Sequence, residues 1–492
     1  MTTDPETPRP SPQEEGPIPP SVPRLGPTDR PRRHPAVSTL AAILALVLAG
    51  ASLLLSTVGV DWGRPLESVR EFFRDPTPHE QYLMGLVQSG LATSALGQQW
   101  MAAARTALER PLATDLPYQE EGFFPQDEPS ALGYRFSLRR GQRLTVTVQL
   151  VSPEASDTRL FVDLFRAAPD SLQPPVHVLS TMPGDPLEFE PRRMGEYLLR
   201  IQPELLRSGR FRVAIENDAV LEFPVPGRTT QSIGSFFGDP REGGRREHHG
   251  VDIFAPRGTP VVAAAEAYVS SVDTTTVGGR VIWLRDSRRG ASLYYAHLNE
   301  ILTERGARVR PGDTIGRVGN TGNARTTPPH LHFGLYFRRE GPFDPWDYLY
   351  QPSGEMVPVE VQLAELGQWV RVREEAIHLR DRPASGAQVV TELPRHTAVR
   401  VVGGVGTWYR VKLPDGGSGF VAGRLTEEIR EPLWLERVAH VQDLQEDPVP
   451  GAPVVDHLPD GIDLPVLGTF GNFLYVVAPN GRAGWMSATG TS

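Results

Sequence analysis

The sequence predicts a mainly β chain: a helical segment and a β-sandwich, then a compact domain built on an antiparallel sheet, then two small β-barrels. Three observations carry this. Between 131 and 350, short apolar runs alternate and are cut by Gly, Pro, Asp and Ser, the pattern of half-buried strands between tight turns. No long amphipathic helix separates the runs from 234 to 350, which argues against a parallel βαβ sheet. Residues 360–427 and 437–488 repeat one motif twice, too few copies for a solenoid and enough for two small globular units.

At 492 residues the chain has room for three to four domains of roughly 150 residues each. Its net charge is −9 and it has no basic arm, which argues against nucleic acid as a partner. It contains no cysteine, so disulfides, cysteine–zinc sites and a lipid-anchoring cysteine are excluded.

Residues 1–36 are rich in Pro, Glu, Thr and Ser, cannot bury a core, and are expected to be a disordered cytoplasmic tail. Residues 37–59 carry no charge, and their length matches the roughly 20 residues of a membrane span. They exceed the 7–15 apolar residues, roughly, of a cleaved leader. Arg30, Arg32 and Arg33 precede them and place the N-terminus in the cytoplasm by the positive-inside rule. The expectation is a transmembrane signal anchor: a single-pass inner-membrane protein, with the membrane as a partner and the later domains on the periplasmic or extracellular side.

Residues 60–125 are expected to be a linker and a helical segment. Tyr82, Leu83, Leu86, Val87, Leu91, Leu96 and Trp100 recur at roughly helical spacing, and Pro111 ends the pattern. Residues 126–228 hold short alternating runs, such as Leu144 to Leu150 and Phe211 to Ile215, and predict a β-sandwich accessory domain.

Residues 229–352 hold the polar constellation. His330-Leu331-His332 opens an apolar, aromatic run after Pro328-Pro329 and is expected on a strand. Period-2 alternation then puts His330 and His332 on one face and Leu331 and Phe333 on the other. Either both imidazoles bind a metal, or one binds while the other works on water. His248 and Asp252 are four apart, but Gly250 between them and Pro256 and Gly258 beyond argue for a loop entering a strand. His and Asp are both zinc ligands, and a catalytic zinc keeps three protein ligands with a fourth position open. No His-Glu-x-x-His is present, which excludes the helix-borne metallopeptidase pattern.

His248-His249-Gly250-Val251-Asp252, Ala255-Pro256-Arg257-Gly258-Thr259-Pro260-Val261, Tyr295-Ala296-His297-Leu298, Gly319-Asn320-Thr321-Gly322 and His330-Leu331-His332-Phe333 together resemble the M23 family of zinc metallopeptidases, the lysostaphin-like and LytM-like peptidoglycan endopeptidases. The resemblance implies an antiparallel sheet under a groove floored by Zn2+. His248, Asp252 and His332 would be the metal ligands, and His297 and His330 the catalytic histidines. One of these two would take a proton from water. The other would hydrogen-bond the oxyanion or protonate the leaving amine. The place of His330, two residues from His332, favours it for the water. The implied function is hydrolysis of cross-links or stem peptides of peptidoglycan in cell-wall remodelling. Competing expectations are a non-catalytic regulator of a wall amidase, which the five intact residues count against, and a wall-binding scaffold. Asn323 to Pro329 depart from the family's small Ser/Gly-rich turn and are expected to border the site.

Residues 358–427 and 435–490 share Leu379-Arg380-Asp381 with Val441-Gln442-Asp443, Leu393-Pro394 with Leu458-Pro459, and Gly419-Phe420-Val421 with Gly484-Trp485-Met486. They resemble bacterial SH3-like domains, which implies contact with peptidoglycan and with cell-wall or division proteins. Trp408, Tyr409, Tyr475 and Trp485 are expected in their cores.

Overall fold

The computed structural model describes residues 75–126, 128–151, 159–168, 173–181, 184–350 and 354–488. The tail at 1–36 and the span at 37–59 lie outside the described residues. Among the described residues, no helix is long and apolar enough to cross a membrane. The longest, Ala95–Glu109, has 15 residues and includes Arg105 and Glu109. At 1.5 Å per residue it reaches about 22 Å, short of a hydrocarbon core of about 30 Å. The expected single-pass placement and membrane partner are corrected to this extent: the described residues supply no spanning helix for them.

The helical segment is two helices, Pro78–Gln88 and Ala95–Glu109, broken where Gly90 takes a φ of 76°. Thr77 and Glu80 form a reciprocal capping box at the first, and Ser94 caps the second. The pair docks on the strand Gly195–Pro203. Trp100 is 1% exposed, stacks on His79, and donates its indole N–H to the Pro203 carbonyl at 2.8 Å. The Gln202 amide returns to the Trp100 carbonyl at 2.8 Å. Trp100→Ala is expected to destabilise this docking by about 3–5 kcal/mol, read in a denaturant titration followed by far-UV circular dichroism.

Two sheets face each other in the accessory region. One runs Leu112–Ala113, Leu132–Leu138, Gly195–Pro203, Leu160–Arg166, Val176–Thr181; the other contains Tyr118–Phe124, Gly209–Ala219, Gln142–Leu150 and Leu187–Phe189. Phe136, Leu164 and Leu199 from the first meet Val146, Phe211 and Val213 from the second in one buried core.

The C-terminal copies overturn the expected barrels. In the first, the strands Ala376–Arg380, Val389–Pro394, Ala398–Val405, Trp408–Lys412 and Ser418–Ala422 belong to an open 11-stranded sheet. That sheet continues into the accessory region, because Ala398–Val405 pairs with Tyr118–Phe124 through Glu121↔Gly404 and Gly122↔Gly403. A barrel needs a ladder that returns to its first strand. Here the edge that would close instead binds a strand from elsewhere in the chain, and no ladder joins Thr426–Glu428 to Val389–Pro394 among the described residues. A buried ion pair locks the junction. The Glu120 carboxylate accepts from Arg410 Nη1 at 3.1 Å and from the Tyr118 and Tyr134 hydroxyls at 2.8 and 2.9 Å.

The second copy is an open six-stranded sheet. Its run Val454–Leu458, Gln442–Gln445, Ala483–Ser487, Phe473–Val477, Asp463–Phe470 follows the same order as the first copy's strands. Trp485 is fully buried, between Tyr475 and Trp369 of the first copy, and Tyr409 is also buried.

Residues 233–343 build an eight-stranded antiparallel sheet, ordered Ile233–Ser235, Val251–Phe254, His330–Phe337, Ala291–Leu298, Gly279–Asp286, Ala267–Thr275 and Arg308–Val309, with Gly341–Phe343 beside His330–Phe337. Val251, Ile253, Leu293, Tyr295, Leu331, Phe333 and Leu335 fill one face with apolar side chains. The opposite face carries the polar constellation.

Candidate metal centre

Strand pairing brings the first two groups together. Asp252 lies directly opposite His332, and Phe254 opposite His330, in the ladder between Val251–Phe254 and His330–Phe337. Alternation sends Leu331 and Phe333 into the core, so His330 and His332 share Asp252's face. His248 precedes the strand, held by its N–H to the Asp239 carbonyl at 2.9 Å and by its own carbonyl accepting from Gly238 at 2.9 Å.

Three ligand atoms converge. His248 Nε2 and His332 Nδ1 are 2.9 Å apart, and Asp252 Oδ1 lies 3.0 Å from the first and 2.9 Å from the second. His248 Nδ1 is 2.8 Å from the Phe236 carbonyl, which can only accept, so in the neutral ring that a metal ligand requires Nδ1 carries the proton and Nε2 presents a lone pair. Three lone-pair atoms packed this closely repel one another unless positive charge lies between them. One proton on His332 cannot serve all three. A small divalent cation with nitrogen and oxygen preference can, and two His and one Asp are the donor set of a catalytic zinc. Burial works to raise the Asp252 carboxyl, but the His248 and His332 contacts outweigh it and hold the group well below the usual carboxylate range. Burial pushes the His332 imidazole down, with Asp252 opposing.

His297 reaches this face by a different route. Strict alternation after Leu293 and Tyr295 would bury it in the apolar core. The ladder with Gly279–Asp286 instead shifts register between Arg280↔Leu298 and Ile282↔Tyr295, so three steps on one strand face two on the other. This is a β-bulge, and within it His297 takes a φ of 63°. A non-glycine residue there stores about 1–3 kcal/mol of strain. Its N–H to the Gly278 carbonyl at 2.7 Å and its Nδ1–H to the Thr321 carbonyl at 2.9 Å hold it in place. Burial pushes its imidazole down to about 4. His330 Nδ1 likewise donates to the Pro328 carbonyl at 2.9 Å. Its Nε2 lies 4.0 Å from Asp252 Oδ1, and its ring is 5.0 Å from that of His297. In their neutral forms both rings therefore keep their proton on Nδ1 and turn Nε2 toward the cleft as an acceptor.

All five sequence-selected residues line one cleft of about 430 Å³. Trp283, Tyr294 and Tyr336 form an aromatic wall, with Trp283 centred 4.4 Å from Tyr294 and 5.1 Å from Tyr336. Asn323, Ala324 and Thr327, from the segment that departs from the family turn, line it as well. Two contributors carried no signal in the sequence. Arg241 donates to Asp252 Oδ2 at 2.8 Å, and Ser235 Oγ lies 3.3 Å from His248 Nδ1. Neither stands at a spacing that links it to the histidines.

Gly250 is required by crowding. A Cβ there would collide with the Phe333 carbonyl and sit 3.0 Å from His332 Nε2. Gly250→Ala is expected to destabilise the protein by about 1–3 kcal/mol and to weaken zinc binding by displacing His332, read by thermal melting with and without zinc.

Residues 246–345 match Peptidase family M23, and residues 375–427 match the bacterial SH3 domain family. The L-Ala--D-Glu endopeptidase of Bacillus subtilis is 41% identical over 138 residues, covering 26% of this chain and 42% of that protein. The peptidoglycan DD-endopeptidase ShyC of Vibrio cholerae is 38% identical over 94 residues, covering 19% and 21%. The catalytic domain of the antimicrobial peptidase lysostaphin from Staphylococcus simulans superposes with a TM-score of 0.22 at 32% identity, covering 24% of this chain and 90% of that one. The chain spans less than half the length of these curated relatives.

Proposed function

From the M23-family zinc metallopeptidase domain and the SH3-like domain that follows it, we propose that this protein is a zinc-dependent endopeptidase that hydrolyses peptide bonds of peptidoglycan. The observation that carries the proposal is the convergence of His248 Nε2, Asp252 Oδ1 and His332 Nδ1 within 3.0 Å of one another on the floor of an open cleft. One relative is named for an L-Ala–D-Glu bond and another for the peptidoglycan DD bond, which supports cross-links or stem peptides as the substrate class.

In this reading His248, Asp252 and His332 hold zinc, and His297 and His330 act on protons. A zinc ion held by these three residues would supply Lewis acidity toward the scissile carbonyl and toward water at neutral pH. The rest falls to the chain. His330 Nε2, nearer Asp252, accepts the proton of the attacking water, and its Nδ1–H to Pro328 fixes the ring for that task. His297 enters with its Nδ1–H already given to Thr321, so as a neutral imidazole it has no second N–H for an oxyanion. Its part is to take at Nε2 the second proton of the attacking water as the adduct collapses to a carboxylate, and to pass it to the leaving amine, while the proton held by His330 returns to solvent. The aromatic wall excludes water from one side of the peptide and packs against it.

Digestion of purified peptidoglycan by the full chain tests this, with products read by mass spectrometry. The expected result is new amine and carboxyl ends at one defined peptide bond, abolished by chelation and restored by zinc. Stoichiometric bound zinc with no new ends would overturn the endopeptidase reading.

A further inference from the structure

We infer that Arg241 is a positioning residue for the metal centre, gripping two of the three ligands at once: Asp252 directly and His248 through Ser235. The inference rests on the reading of His248, Asp252 and His332 as zinc ligands and adds to it the residue that sets their geometry.

The two oxygens of Asp252 have separate tasks. Oδ1 faces His248 and His332 at 3.0 and 2.9 Å. Oδ2 accepts from Arg241 Nη2 at 2.8 Å. A carboxylate whose second oxygen is held this way cannot swing round to offer both oxygens to a cation, so it binds through one. The same Nη2 donates to Ser235 Oγ at 2.6 Å. That hydroxyl gives its only proton to Asp239 Oδ2 at 2.8 Å, which leaves it an acceptor toward His248 Nδ1–H at 3.3 Å, beside the Phe236 carbonyl at 2.8 Å. Ser235 is itself placed by the sheet, opposite Asp252 in the ladder between Ile233–Ser235 and Val251–Phe254. Arg241 comes from the short hairpin of Pro240–Arg241 and Arg246–Glu247. The brace thus joins an edge strand, a hairpin and the strand next to the edge at the point where the ligands meet. Partners that orient ligands in this way are worth roughly 10- to 100-fold in metal affinity.

The sign of the effect separates bracing from mere proximity. A guanidinium beside a dication repels it, so if Arg241 acted only as a nearby charge, its removal would tighten zinc binding. If it holds the ligands, its removal loosens them and zinc binding weakens.

The test is a titration of Zn2+ into the full chain in competition with a chromophoric chelator, on wild type, Arg241→Ala and Arg241→Lys, with a thermal melt of each metal-free protein. Arg241→Ala is expected to bind zinc about 10- to 100-fold more weakly, with Arg241→Lys in between because an ammonium can reach one partner but lacks the planar fork. Unchanged or tighter binding by Arg241→Ala overturns the inference. If Arg241→Ala does not melt cooperatively, unchanged or tighter binding by Arg241→Lys overturns it instead. Failure of the wild type to bind zinc is a different outcome and removes the metal reading on which the inference stands.

Discussion

His332→Ala is expected to abolish zinc binding and hydrolysis together. His332 is one corner of the ligand triangle: its Nδ1 contacts both His248 Nε2 and Asp252 Oδ1 at 2.9 Å. It sits on an interior strand of its sheet, opposite Asp252 on one side and Ala296 on the other. Two protein ligands hold zinc poorly, and the Lewis acid is worth several kcal/mol in the transition state, or roughly 10³-fold or more in rate. Zinc content by atomic spectroscopy and turnover of a peptidoglycan fragment should fall in the same sample. Hydrolysis that persists in a metal-free His332→Ala protein would reject the role given to this residue.

His330→Ala is expected to separate the two properties. Its Nε2 is 4.0 Å from Asp252 Oδ1, outside the 2.9–3.0 Å triangle, and its Nδ1–H is committed to the Pro328 carbonyl. The variant should retain zinc and lose about 10²- to 10⁴-fold in kcat, the usual worth of a positioned general base. Added imidazole should restore part of the lost rate, because a small base can occupy the vacated volume. A His330→Ala protein that has lost its zinc would place His330 among the ligands and undo the division of labour.

Much of the site could be read along the chain, because short-range rules govern it. The period of a strand puts His330 and His332 on one face whatever the rest of the chain does. Gly250 and the Pro256–Gly258 turn keep His248 and Asp252 off a helix, and the structure has the loop entering a strand. His297 was less accessible to such reasoning. Its place depends on a bulge that exists only relative to the partner strand, and alternation alone would have buried it beside Tyr295. Arg241 and Ser235 were invisible, since a contact 11 residues apart across a hairpin has no period to betray it.

The two C-terminal units show the same division on a larger scale. The repeated motif foretold two copies, and the strand order is the same in both. Whether each sheet closed on itself was decided elsewhere. Glu121 pairs with Gly404 across most of the chain, and at Gly403 an added Cβ would strike the Glu120 side chain. The glycine pair allows the close approach, but the partner strand lies far away in sequence, where local propensity carries no information.

The sequence by itself determined the chemistry: which five side chains are available, which alternate onto a common face, and which metal their nitrogen and oxygen donors suit. The shared face of His330 and His332 follows from the one-dimensional period of a strand, and the choice of the five and of their metal from the motifs that resemble the family. Only the tertiary structure decided the geometry: the register that sets Asp252 against His332, the bulge that turns His297 out of the core, the brace from Arg241, and the open sheet in place of a barrel. Each of these is a pairing between distant segments, fixed by burial and hydrogen-bond satisfaction across the whole fold, and no local pattern encodes it.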